Sequence, residues 1–246
     1  MKRLVAMLVA VTAITSACSG SAGSPGEVIV LAPSSMVDVL SNGKFGLIGL
    51  TSTSTLSFSF AGSNSLVAQL REGSNADMVI TASRSTMDRA VADGSVAGTP
   101  IVIARNRLVL AVARGNPGQI TSLNDLGESS KLIGLCAPEV PCGALSVQAL
   151  EGLGVVASPD TLEPSVRALA NKIQLGELDA GLIYLTDALA LDIRVIDTPE
   201  LDQYSTEYLL APIQADPKPA VALWIDSMAD GGSLRQQMLE MGFQAP

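Results

Sequence analysis

Four short segments of this chain set small or hydroxyl-bearing residues where backbone amides are free to donate: Pro33-Ser34-Ser35, Gly62-Ser63-Asn64-Ser65, Val140-Pro141-Cys142-Gly143 and Pro164-Ser165. Each lies between a strand-like apolar run and a helix-like one. The first amides of a helix have no intrahelical partner and sit at the positive end of its dipole, so such junctions hold anions. Ser35 and Ser63 add hydroxyls that can also donate. None of the four loops contains lysine or arginine. Taken singly, each is equally an ordinary helix cap, because Ser and Asn are preferred caps. Ser65 is read as such a structural cap, and so are Thr186 and Asp187.

Composition removes other chemistries. Histidine is absent, which excludes Ser-His-Asp and Cys-His catalysis and every His-containing metal site. Without the two cations Lys2 and Arg3, the formal net charge of −9 falls by two more, to −11. An acidic body with few aromatics is wrong for nucleic acid, which needs basic surface. A small anion is still admissible, since bulk charge is screened by salt while backbone dipoles act at contact.

The elements that must position these loops alternate. Strand-like runs at Val28–Ala32, Leu56–Phe60, Met78–Thr81, Leu132–Leu135 and Ala180–Leu185 are separated by helical patterns, which implies parallel sheets with helices on both faces. Ile101–Ala104 and Leu108–Ala113 read as two strands, with Arg105-Asn106-Arg107 as a polar break. That break and the loop Thr198–Ser205 are the expected crossings between two lobes, 27–104 with 206–246 and 105–205. Loops at the C-terminal strand ends of the two lobes then face one another across a cleft. Trp224 and Met228 read as packing, and Glu207, Asp226 and Asp230 as solvated surface.

Ahead of this body stand Lys2-Arg3, the apolar run Leu4–Ile14 and Thr15-Ser16-Ala17-Cys18. The pattern is that of a lipoprotein signal peptide over 1–17, with Cys18 lipidated and 18–26 a flexible tether. An ordinary cleaved signal peptide is the alternative. Export puts the remaining cysteines, Cys136 and Cys142, in an oxidising compartment. They are expected to form a disulfide, with two free thiols as the alternative.

The segments VIVLAPSSM, FAGSNSLVAQLREGSNADMVITAS, CAPEVPCGALSVQALEGLG, SVRALANKIQLGELDAGLIYLTDAL and MGFQAP together give the chain a family resemblance. From about Val28 to Phe243 it resembles the molybdate-binding proteins of bacterial ABC importers. Actinobacterial members also share the paired cysteines around the PxVPCG loop. The resemblance implies an α/β periplasmic binding protein of the two-lobed type II (Venus-flytrap) class, exported, monomeric, without cofactor or enzymatic activity. The implied ligand is molybdate, and tungstate with it, and the implied partner is an ABC permease in the membrane. Ser35 and Ser63 are implied to donate through hydroxyl and backbone N–H, Cys142 and Val166 through backbone N–H, and Tyr184 through its hydroxyl.

Chemistry is consistent with that set. A fully deprotonated dianion needs donors and no acceptor, whereas a phosphate site needs an acceptor for the residual proton. No carboxylate lies in the matching loops, and selectivity against sulfate falls to cavity size. Two departures are visible: Asp38–Thr53 is glycine-rich where the family has a firm first helix, and Gly62 and Asn64 vary a loop usually richer in serine. The competing readings are a binding protein of this fold for another oxyanion or a small organic anion, and an exported serine hydrolase using Ser35 or Ser63.

Overall fold

A computed structural model describes residues 27–41, 55–228 and 231–246. The signal peptide, the tether with Cys18, most of the glycine-rich segment (42–54) and Asp230 lie outside the described residues.

Strand β1 (Glu27–Pro33) runs into a 3₁₀ turn at Ser34–Met36 and the short helix α1 (Val37–Ser41). β2 (Thr55–Ala61), α2 (Ser63–Arg71), β3 (Met78–Thr81) and α3 (Arg84–Ala92) follow. β4 (Ile101–Val112) leads through a capped 3₁₀ turn at Leu123–Gly127 to β5 (Ile133–Cys136) and α4 (Pro141–Leu153). Then come β6 (Thr161–Glu163), α5 (Val166–Leu175), β7 (Ala180–Tyr184), α6 (Leu185–Ala190) and β8 (Arg194–Ile196). β9 (Ser205–Pro212), α7 (Pro219–Met228) and α8 (Ser233–Glu240) close the chain.

The strand order is β2-β1-β3-β9-β4-β7-β5-β6, with β8 also on β4. β1 pairs in parallel with β2 and β3, and β5 with β6 and β7. Between these parallel sets stand β9 and β4, antiparallel to each other and to their outer neighbours. Each half keeps the expected parallel set, and the whole arrangement is mixed. The reason is a pair of long strands that carry the chain between the two halves in opposite directions.

Arg105-Asn106-Arg107 is no break. These residues pair with Glu207, Thr206 and Ser205, and the next residue, Leu108, pairs with Tyr184. β4 is one continuous strand that changes partner at this point. Its polar stretch keeps the period of two: Asn106 is fully buried and Arg105 is exposed. An inward asparagine is admissible only because its amide finds partners there.

Apolar burial follows the two halves. One cluster draws on residues 108–201. Two others take alternate residues of β1, β3 and β9: Val30, Met78 and Leu210 on one side, Leu31, Val79 and Leu209 on the other. Successive side chains of a strand point to opposite faces, so this sheet is covered on both sides, which explains its near-continuous apolar runs. Trp224 and Met228 lie fully buried in the first of these two clusters, as expected. Cys136 and Cys142 form a disulfide across the start of α4.

Candidate functional site

Each of the four loops is shaped by local sequence. Pro33, with its fixed φ, caps the 3₁₀ turn that carries Ser34 and Ser35. Gly62 caps α2 and puts Ser63 at its first position. Val140 caps α4 and Pro141 opens it, followed by the disulfide-bonded Cys142. Tyr184 ends β7 and caps α6. Pro33, Gly62 and Val140 have no side-chain acceptor, and neither these three starts nor that of α6 after Tyr184 makes a side-chain cap. α3 behaves differently, for Ser83 accepts from the Thr86 amide. At α5 the Ser165 hydroxyl accepts from the Ala168 amide, so that cap does not use the Val166 amide.

Ser35, Ser63, Cys142, Val166 and Tyr184 line a single cavity with no charged residue in its wall. All five are at least nine-tenths buried. The cavity leaves about 20 Å³ for the centre of a water-sized group. One water needs roughly 10–15 Å³ by that measure, so the space between the loops is small. A cavity of about 330 Å³ adjoins it across Ser35, but Asp38 and Glu240 in its wall make it hostile to an anion.

Hydrogen bonding sorts the polar groups. Ser63 Oγ accepts from the Ala82 amide at 3.0 Å, which leaves its hydroxyl hydrogen to donate elsewhere. Ser35 Oγ lies 2.6 Å from Tyr208 Oη. The Tyr184 hydroxyl is buried and makes no hydrogen bond. Burial pushes its pKa well above the usual tyrosine range, with Tyr208 and Asp187 adding to the shift. Thr206, which acts the other way, donates its own hydroxyl hydrogen to Ala82 O at 2.5 Å. Tyr184 is thus a neutral phenol, with the Thr206 hydroxyl beside it and its own hydrogen available to donate.

A cation stands just behind the cavity wall. Arg167, next to Val166, pairs with Asp38 and lies 3.0 Å from Asp187. Burial pushes the Asp187 carboxyl up to about 7, against the pull of Arg167 and with a further push from Asp38. Among the described residues no cluster of His, Cys, Asp or Glu could hold a metal ion.

Several expectations need correction. Ser65 caps nothing: it is exposed on the third residue of α2, whose cap is Gly62. Thr186 and Asp187 do not cap α6 either. Thr186 Oγ1 accepts from Asn106, and Asp187 is wholly buried beside Arg167. Glu207 is not simply solvated, since Arg84 and Arg105 both bind it. Sequence reasoning missed Asn106, Tyr208 and Arg167. The period of two across Arg105–Arg107 was the available signal for Asn106; the other two need contacts distant in sequence.

Comparison with known proteins follows the geometry. The chain matches the bacterial extracellular solute-binding proteins over residues 51–230. It is 33% identical over 193 residues to the molybdate-binding protein ModA of Mycobacterium tuberculosis, covering 78% of this chain and 74% of that protein. Among solved structures, the periplasmic molybdate-binding protein of Azotobacter vinelandii matches with TM-score 0.72 at 16% identity, over 89% of this chain and 99% of that one. The sulfate-binding protein SubI of Mycobacterium tuberculosis matches with TM-score 0.74 at 15% identity, over 89% and 86%. At such identities the two structures speak for the fold, a two-lobed α/β binding protein.

Proposed function

We propose, for a chain that belongs to the bacterial extracellular solute-binding proteins, that it captures molybdate, and tungstate through the same donors, and delivers the anion to the permease of an ABC importer. The chain is a binding protein and not an enzyme; its relatives bind solutes. One observation carries the choice of ligand. Ser35, Ser63, Cys142, Val166 and Tyr184 meet in one small, charge-free cavity that offers donors and no carboxylate.

The physical logic is direct. Neutral donors fixed in a dry site satisfy the oxygens of a dianion without burying a counter-ion. They also leave a protonated oxyanion with a hydroxyl that has no acceptor. The kinship with a molybdate-binding protein favours the larger tetrahedral oxyanions. A serine hydrolase lacks support, because Ser63 faces an amide and Ser35 a phenol rather than a base.

Capture is read as hinge closure between lobe I (27–104 and 206–246) and lobe II (105–205). The change of partner along β4 after Arg107 supports a hinge at β4 and β9. Ser35 and Ser63 then belong to one lobe and Cys142, Val166 and Tyr184 to the other. We also infer a lipid anchor at Cys18 on the outer face of the cell membrane, a monomeric state and docking to a permease.

Isothermal titration with molybdate, tungstate and sulfate tests the reading. Molybdate and tungstate are expected to bind tightly, and sulfate at least a hundredfold more weakly. At a hundredfold excess over Kd, molybdate should add about 2.7 kcal/mol to stability. Equal affinity for sulfate and molybdate overturns the assignment.

A further inference from the structure

We propose that Asn64 is a clasp across the anion cavity. Its side-chain amide, aimed by Arg89 and Thr86, ties the loop of Ser63 to the disulfide-closed loop of the facing half and so sets how slowly a captured anion leaves. This rests on the reading of the cavity as an oxyanion site and goes beyond it, since Asn64 does not line the cavity.

Asn64 follows Ser63 in the first turn of α2, yet its side chain bonds outside that helix. Nδ2 donates to the carbonyl oxygen of Glu139, 75 residues away in sequence. Oδ1 accepts from Arg89 Nη2 at 2.5 Å and from Thr86 Oγ1 at 3.2 Å, both on α3. The amide cannot be reversed. A guanidinium has no acceptor and a carbonyl oxygen no donor, so Oδ1 must face Arg89 and Nδ2 must face Glu139. Thr86 is polarised too. It is buried, and its Oγ1 accepts from Ser83 at 2.8 Å and from Arg89 at 3.2 Å, which leaves its own hydrogen for Asn64. A serine at this position would be shorter, and would have no separate donor and acceptor atoms with which to hold both sides.

The acceptor is equally well fixed. Glu139 lies within the loop that the Cys136–Cys142 disulfide closes, and inside that loop the Val140 amide bonds to Ala137 O at 3.0 Å. Glu139 stands three residues before Cys142, and Asn64 one residue after Ser63. The bond therefore joins two of the anion-binding loops just outside the cavity, from the half that carries Ser63 to the half that carries Cys142.

Such a bond exists only while the loops are together. With them apart, water satisfies both the Asn64 amide and the Glu139 carbonyl. The clasp thus does nothing for the arrival of an anion and opposes its departure. Because it touches no ligand atom, it acts alike on every anion the cavity holds.

The test follows association and dissociation of molybdate and of tungstate by stopped-flow for wild type, Asn64→Ala, Asn64→Asp and Arg89→Met. Asn64→Ala should release both anions about three- to tenfold faster, the worth of one net hydrogen bond, with association unchanged. Asn64→Asp keeps an acceptor for Arg89 but sets an oxygen against the Glu139 carbonyl, and should release them at least as fast as Asn64→Ala. Arg89→Met should speed release less, and not at all when added to Asn64→Ala, because Arg89 acts through the aim of that amide. Release at the wild-type rate from both Asn64 variants overturns the proposal, and a lowered melting midpoint beside it would mark Asn64 as a packing residue. An effect confined to one of the two anions would make Asn64 a ligand rather than a clasp, and also overturns it. A wild-type protein that binds neither anion overturns instead the reading of the cavity, and the clasp falls with it.

Discussion

The guanidinium of Arg167 lies 3.0 Å from the carboxylate of Asp187, one residue beyond Val166 and three beyond Tyr184. The same guanidinium donates to Asp38 on α1. Two starts of helix that contribute to the cavity, α5 and α6, are thereby tied together behind it, and both to the helix that follows Ser35. This cation behind the cavity is spent on carboxylates. It orders the donors rather than serving as one.

Arg167→Met is expected to leave the wholly buried Asp187 without its cation. Breaking a buried pair from one side costs about 3–5 kcal/mol. The loss should be greatest at pH 8, where Asp187 must otherwise ionise, and smaller at pH 5, where it is protonated. Urea unfolding at both pH values reads the difference. An equal loss at the two would show that the aliphatic part of Arg167, not its charge, matters.

Asp187 also sets a pH dependence in the unmodified protein. Its folded value, about 7, lies above the ordinary aspartate value of 3.8 because of burial, opposed by Arg167 and aided by Asp38. The folded state then holds a proton that the unfolded state releases. This contribution to stability is complete below about pH 4 and is lost as pH rises through 7. The melting midpoint should fall by on the order of 5 °C between pH 5 and pH 8. Asp187→Asn should flatten that slope. Asp125, whose carboxyl is held low chiefly by the Thr121 amide, acts in the opposite sense and only at more acid pH.

Much of the site was legible because its parts are local. A strand end, a small residue and a helix start lie within a few positions of one another, so the loops could be placed from pattern, and the family resemblance then implied Ser35, Ser63, Cys142, Val166 and Tyr184 within or beside them. What was not legible depends on distant partners. Ser35 and Tyr208 are 173 residues apart, and Asn106 and Thr186 are 80. Arg105–Arg107 looked like a break because polar residues interrupt an apolar run. Its role emerges only once β9 pairs alongside and Asn106 turns inward to Thr186. Asp187 looked like a cap because acidic residues favour a first turn. Whether a carboxylate there faces solvent or a buried arginine is decided by α5 packing against α6.

Tyr184→Phe separates function from stability. The phenol is fully buried with only the Thr206 hydroxyl beside it, so its oxygen returns little for its desolvation in the unliganded protein. The variant should be as stable as wild type or more so, by up to about 1 kcal/mol, and bind molybdate about tenfold more weakly. Thermal melts without ligand and titrations with molybdate measure the two effects. A less stable variant of unchanged affinity would mean that the hydroxyl has a structural partner and no ligand.

Gly62→Ala probes the approach of the loops across the cavity. The backbone at Gly62 has φ −63° and ψ 139°, which alanine adopts without strain. A Cβ there, however, would stand 2.6 Å from the carbonyl oxygen of Pro164, on the loop that leads to Val166. A backbone oxygen cannot swing aside as a side-chain tip does, so the two loops must separate by several tenths of an ångström. Crowding of this kind costs about 1–3 kcal/mol, or roughly a five- to 150-fold loss of affinity. The cost falls only on the state in which the loops are together. With them apart, alanine should be neutral or slightly stabilising, because it narrows the unfolded ensemble. The expected pattern is a faster dissociation of molybdate in stopped-flow traces and a smaller ligand-induced decrease in radius of gyration by solution scattering. Unliganded stability should be unchanged. Wild-type dissociation from the variant would mean that Gly62 and Pro164 do not come together when the ligand is held.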